Sequence, residues 1–309
     1  MPTDHAPDAR IVVILNPGSG SSDEGLRDTL EKALRDGGAD YEIRETTKER
    51  DGAVLAKEAR EEGVRQVMAC GGDGTVMAVI NGLGANDEES PAVTLSIVPG
   101  GTANLIAAAL GVPTDPEEAV KVALEGEERD VDLGRRDETL FALGIGVGLT
   151  ERLVSEASTE AKEKIGRWAY LFAMLKEIGA KPNRFELQLD GGETIRDHGV
   201  AMVIANSGEL GHGMRFAPDA KLDDGKLDVC ILRHFGIGDV FRLGVRTLTG
   251  GLREDRALTF HQAHRVEFKA DPPLEVQIDG EPVEAKTPIV AEAIPKALRV
   301  RVPQTERNS

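Results

Sequence analysis

Between Val67 and Ile80 an apolar run, Val67-Met68-Ala69-Cys70, breaks into Gly71-Gly72-Asp73-Gly74 and resumes as Thr75-Val76-Met77-Ala78-Val79-Ile80 with helical spacing. This stretch is expected to fold as strand, loop and helix. Its glycines remove the Cβ atoms that hold a backbone away from a ligand, so the loop amides and the N-terminus of the following helix can close on phosphate oxygens. Asp73 inside such a loop would repel phosphate unless a cation or a donor intervened, which suggests a metal ion bound directly or through water. The loop lacks the Gly-Lys-Ser/Thr end of a P-loop and the Gly-x-Gly-x-x-Gly of a dinucleotide-binding turn. The same glycines also suit a tight turn that serves packing alone.

Two further loops of the same kind follow apolar runs. Residues 10–16 read as a buried strand that ends in Pro17-Gly18-Ser19-Gly20, and Leu26, Leu30, Ala33 and Leu34 then share one helical face. Residues 94–98 form another such run, closed by Pro99-Gly100-Gly101-Thr102-Ala103-Asn104 and a short apolar helix. A strand over 41–45 and helices over 53–59 and from Pro116 to about Gly126 complete a βα series. In a right-handed parallel sheet the loops gather at the strands' C-terminal ends, where ligands bind. After residue 134 strands dominate, at 140–148, 184–190, 199–206, 226–232, 258–268 and 274–278, with helical insertions at 159–178 and 238–250. The expected fold is an α/β nucleotide-binding domain with a parallel sheet over 1–134 and a mostly antiparallel β-sandwich over 135–295. A last alternating strand within 296–309 ends the second domain or returns to the first.

The length of 309 residues suffices for two domains, and 35 glycines beside one Trp, two Tyr and eight Phe suit a loop-rich α/β chain. A net charge of −17 argues against nucleic acid as a partner and requires that any anionic ligand be held locally. Cys70 and Cys230 are the only cysteines and fall in separate strand-like segments, as buried reduced thiols would. No apolar run reaches membrane-spanning length and the N-terminus has no signal-peptide pattern, so a cytoplasmic protein is expected.

Taken in order, Asn16-Pro17-Gly18-Ser19-Gly20, Gly71-Gly72-Asp73-Gly74-Thr75 and Pro99-Gly100-Gly101-Thr102-Ala103-Asn104 resemble the diacylglycerol kinase catalytic family, which also takes in sphingosine kinases and bacterial soluble lipid kinases. The likeness continues through the segment from Ala217 to Asp228 and through Asp279-Gly280-Glu281, and so covers about 10–302. It implies an ATP- and Mg²⁺-dependent lipid kinase whose active site lies between its domains and which works transiently at the inner face of the membrane. By the same resemblance, Asn16, Pro17, Gly18, Ser19, Gly20, Thr47, Gly71, Gly72, Asp73, Gly74, Thr75, Val76, Met77 and Thr102 would contact ATP. Asp224 would bind Mg²⁺ through its side chain with the carbonyls of Lys221 and Lys226, and Asp279 would take the proton of the lipid hydroxyl, supported by Glu281. A homodimer is among the partner expectations, without residues to carry it.

The residue chemistry agrees with these roles. A carboxylate in a polar cleft can accept an alcohol's proton as its bond to phosphorus forms. Asp279 suits that task, although Ile278-Asp279-Gly280-Glu281-Pro282 also reads as a hairpin turn. The 221–228 segment holds three aspartates and a glycine, which fits a hard cation or an Asp-Gly turn between strands. His261 and His264 point to opposite faces of one strand, so a metal pair is not expected there. The 165–178 segment, with Trp168, Tyr170 and Phe172, fits a covered helix or one that dips into a membrane surface. Met77-Ala78 stands where the family usually carries Asn-Glu, Leu105 where many relatives carry Asp or Asn, and His212 interrupts what is commonly a glycine run. Two rival readings remain: an NAD kinase, which shares the glycine-aspartate loop, and a catalytically silent nucleotide- or lipid-binding protein.

Overall fold

The computed structural model describes residues 8–18, 23–86, 92–148, 181–208, 217, 219–233, 242, 246 and 255–304. Ser19, Gly20, His212, the 159–178 insertion and most of the 238–250 insertion lie outside them. The chain divides into two compact units, Met1–Leu133 with Ile294–Ser309, and Gly134–Ala293.

In the first unit the apolar runs become β1 (Asp8–Leu15), β3 (Val64–Gly71) and β4 (Thr94–Pro99), with β2 (Tyr41–Glu45) at the edge. All four are parallel in the order β2-β1-β3-β4. Val12, Val13, Ile14, Val67, Met68, Leu95 and Val98 are fully buried, as strands covered on both faces must be. The helices are α1 (Asp23–Asp36), α2 (Gly52–Glu61), α3 (Asp73–Leu83), α4 (Leu105–Ala109) and α5 (Pro116–Glu125). Asp51 caps α2 by accepting from Ala53 and Val54, and Asp115 caps α5 by accepting from Glu118. α1 packs with α5 and α2 with α3. The C-terminal residues of the long strand β16 (Ile289–Val302) return to this unit, where Arg299 and Val300 pair in parallel with Thr94 and Leu95 of β4.

The second unit is built from antiparallel pairs. One sheet joins the N-terminal part of β16 to β13 (Arg265–Asp271), β8 (Asn183–Leu189) and β9 (Ile195–Gly199). The other runs β12 (Leu258–Ala263), β11 (Leu227–Leu232), β10 (Ala201–Ala205), β7 (Gly144–Val147), β14 (Glu275–Ile278) and β15 (Glu281–Lys286). Their inner faces share one apolar core, with Phe185, Leu187, Val266 and Phe268 from the first sheet and Ile145, Ile204, Val229 and Val276 from the second. The rings of Phe185 and Phe268 meet edge to face at 4.9 Å.

Two strands expected to be continuous are broken. The 140–148 run splits into β6 (Thr139–Phe141) and β7, with a corner at Ala142 and Leu143. The 258–268 run splits at His264, because β12 and β13 belong to different sheets. At the first unit's end, β5 (Glu127–Arg136) is a long strand that pairs with β16 and β6.

Candidate active site

The order β2-β1-β3-β4 places a reversal between β1 and β3, since the chain leaves β1 toward β2 on one side and returns to β3 on the other. Ligands of open parallel sheets bind outside the carboxyl ends of strands at such a point. Two of the glycine loops follow β1 and β3, and the third follows β4 beside them.

The three loops are locked together by specific contacts. Asn16 donates from Nδ2 to Thr75 Oγ1 at 2.9 Å and accepts from the Gly18 amide at 3.1 Å. The Gly100 amide donates to the Gly71 carbonyl at 2.9 Å. A Cβ on Gly71 would stand 2.6 Å from Thr75 Oγ1, and one on Gly101 would stand 2.6 Å from the Gly72 Cα, so both are glycine because a neighbour occupies the space. Gly74 differs: nothing lies within 4 Å of the place where its Cβ would stand, and its backbone is not in the left-handed region. Its missing side chain leaves room that the described residues do not fill.

Asp73 opens α3 and accepts the Ile106 amide at 3.0 Å through Oδ1, which ties the start of α4 to this loop. One of its oxygens is thus used inside the protein. Thr75 and Val76 are buried, Met77 and Pro17 half-buried, and Thr47 and Thr102 exposed. The Thr47 hydroxyl accepts from the Arg50 amide at 3.1 Å within its own turn. Asn104, named in the sequence only as part of its loop, has a structural role of its own. It adopts the left-handed region (φ 50°) and exchanges two hydrogen bonds with Gly101, accepting the amide at 2.9 Å and donating to the carbonyl at 2.7 Å. Asn in a glycine loop is the available signal, since its side chain can mimic a backbone turn.

In the second unit, Asp279 and Gly280 form the two-residue turn between β14 and β15, both at positive φ (49° and 86°), with Ile278 paired to Glu281. Asp279 Oδ1 accepts the Leu143 and Gly144 amides at 2.8 Å each, and Oδ2 accepts the Ala142 amide at 2.9 Å. The Asp279 amide in turn donates to the Gly144 carbonyl at 2.9 Å. Three amide donors occupy most of the lone pairs a carboxylate presents. Its carboxylate thus clamps the β6–β7 corner, whereas Glu281, two residues on, is exposed. The corner is held from its other side by Asn206, fully buried, whose Nδ2 donates to the Ala142 carbonyl at 2.9 Å and whose amide donates to the Leu143 carbonyl at 2.9 Å.

The expected metal loop lies between Ala220 and β11. Asp224 Oδ1 accepts the Lys226 amide at 3.0 Å around Gly225, which is at φ 71°. Lys221 is exposed and Lys226 half-buried. Among the described residues no group of three or more His, Cys, Asp or Glu could hold a metal. A single carboxylate with loop carbonyls and water is an oxygen donor set that fits a hard cation held weakly. Burial raises the Cys70 thiol far above its ordinary range, and burial with the nearby Asp228 carboxylate pushes Cys230 up to about 12, so neither is a nucleophile.

Comparison with known proteins identifies the family. Residues 10–136 match the diacylglycerol kinase catalytic domain, and residues 145–302 match the YegS C-terminal NAD kinase beta sandwich-like domain. A probable lipid kinase, YegS-like, of Chromohalobacter salexigens is 34% identical over 251 residues, which cover 81% of this chain and 80% of that protein. A diacylglycerol kinase of Bacillus subtilis is 28% identical over 276 residues, 88% of this chain and 89% of that one. A solved structure of a diacylglycerol kinase from Bacillus anthracis superposes with a TM-score of 0.78 at 27% identity, covering 95% of this chain and 97% of that one. With both of its units matched and this degree of identity over most of its length, the chain belongs to the diacylglycerol kinase-like family of lipid kinases.

Proposed function

We propose that the protein transfers the γ-phosphate of ATP to a hydroxyl of diacylglycerol or a similar lipid at a membrane surface, with Mg²⁺. The observation that carries the nucleotide half is Gly74, whose open side at the sheet's reversal point suits close approach of a phosphate to the backbone. Amides of the Gly71–Thr75 loop and the N-terminus of α3 would hold phosphate oxygens, and the second oxygen of Asp73 would orient water on Mg²⁺. When bound, such a cation would offset charge on the phosphates, and Asp224 with the Lys221 and Lys226 carbonyls would hold a second, weaker one. Among the described residues no helix is long and apolar enough to cross a membrane.

For acceptor activation we assign the proton to Glu281. Its carboxylate is exposed and follows a turn that Asp279 fixes, while Asp279 itself is committed to amides 142–144. As the hydroxyl oxygen bonds to phosphorus, its proton passes to Glu281 and the pair of electrons in the broken P–O bond leaves on ADP.

The test offers γ-labelled ATP and Mg²⁺ to purified protein with a mixed-lipid extract, with NAD in a parallel reaction. Label should enter the organic phase with wild type, vanish in Glu281→Gln, and persist at about a tenth to a hundredth of wild type in Asp279→Asn, a loss of about 1.4–2.7 kcal/mol in transition-state stabilisation. Label in NAD would replace the lipid reading with the dinucleotide one. Full activity in Glu281→Gln with none in Asp279→Asn would return the base to Asp279.

A further inference from the structure

His264 lies where the chain passes from one sheet of the second unit to the other, and its backbone is fixed on both sides. Its amide donates to Asp190 Oδ1 at 2.9 Å, and its carbonyl accepts from the Ala293 amide at 2.8 Å. The β11–β12 register pairs Leu227 with Ala263, so His264, the residue just past the end of β12, comes opposite the end of the Asp224-Gly225-Lys226 loop. There Nδ1 sits 2.6 Å from the Gly225 carbonyl oxygen. A carbonyl can only accept, so Nδ1 carries the proton.

Gly225 C=O and Lys226 N–H are the two ends of one planar peptide unit. His264 takes the first and Asp224 Oδ1 takes the second at 3.0 Å. The unit therefore cannot rotate without breaking a hydrogen bond at one end or the other. Its fixed N–H in turn holds the Asp224 carboxylate through Oδ1.

We propose that His264 is a positioning residue for the cation loop: it holds the Gly225–Lys226 peptide so that Asp224 Oδ2 is presented to the cation and the Gly225 carbonyl is kept from it. The proposal rests on the reading of this loop as an Mg²⁺ site. Residues that orient metal ligands from behind commonly change metal affinity when replaced. The side-chain amide nitrogen of Asn can occupy the place of a histidine Nδ1, whereas that of Gln reaches the place of Nε2, which makes the donor position separable from the ring.

The experiment is calorimetric titration of nucleotide-free protein with Mg²⁺, with the Mg²⁺-induced shift in melting temperature as a second reading. Wild type should bind, and Asp224→Asn should lose the binding. His264→Ala and His264→Gln should bind about tenfold more weakly or worse, and His264→Asn within about twofold of wild type. Far-ultraviolet circular dichroism without Mg²⁺ confirms that each variant is folded. Wild-type affinity in His264→Ala, with binding lost in Asp224→Asn, would overturn the role of His264 and leave the site standing. Equal weakening in folded His264→Asn and His264→Gln would also overturn it, since the Nδ1 donor would not be the cause. Mg²⁺ binding untouched by Asp224→Asn would remove the site, and the proposal with it.

Discussion

Gly74 and Gly101 lack a side chain for different reasons, and the difference is measurable. A methyl on Gly101 would meet the Gly72 Cα at 2.6 Å, so Gly101→Ala should cost about 1–3 kcal/mol of stability through overpacking, read from urea unfolding. A methyl on Gly74 meets nothing, and alanine is the better helix former in the first turn of α3. Gly74→Ala should leave the melting temperature unchanged or slightly higher while weakening ATP binding by about tenfold, roughly 1.4 kcal/mol. The sequence displays both glycines in the same way; only their surroundings separate the one whose space a neighbour occupies from the one whose side is open, to which we assign the phosphate. A Cβ on Gly52 of α2 would lie 3.1 Å from the Ala78 Cβ, so it is Gly52 whose missing side chain lets α2 approach α3 there.

Elements proved most legible where their pattern is local. The parallel strands announce themselves as apolar runs, and α2 and α5 carry Asp caps ahead of their first turns. The breaks at 142–143 and at His264 were hidden because distant carboxylates make them. Asp279 gathers amides from more than 130 positions earlier in the chain, and Asp190 accepts the His264 and Arg265 amides at 2.9 and 2.8 Å from across 74 and 75 positions. An alternating pattern runs through such a corner without a mark. Asp190→Ala would leave both amides to water and free the corner, and should cost about 1–2 kcal/mol in thermal unfolding. The turn aspartates share a habit: Asp190 and Asp279 both sit at positive φ and cap amides of another strand, so an Asp-Gly pair after a strand signals an anchor as well as a hairpin.

Across the whole molecule, a charge of −17 means that acidification changes stability by opposing routes: protonation relieves repulsion but removes carboxylates that are held charged. The second route has identifiable members. The Arg242 guanidinium, with burial opposing it, keeps Asp255 below the ordinary carboxylate range, and Arg44 does the same for Glu42 and Arg135 for Glu292. A depressed folded pKa gives stability that is complete above the unfolded value near 4 and is lost as pH falls through the folded value. Asp255, with 1% of its side chain exposed and its carboxylate on Arg242 and Arg246, should contribute most. Asp255→Asn should therefore be less stable than wild type at neutral pH by about 2 kcal/mol or more, and the gap should narrow below about pH 4 in thermal scans. Another whole-molecule consequence comes from β16, whose Arg299 and Val300 are the partners that β4 meets on the side away from β3. During synthesis, some two hundred residues leave the ribosome between that strand and its last neighbour, at roughly 5–20 residues per second. For at least ten seconds or so the edge of β4 has no partner from its own chain, and an exposed parallel edge of that kind is where a folding chain is open to pairing with another.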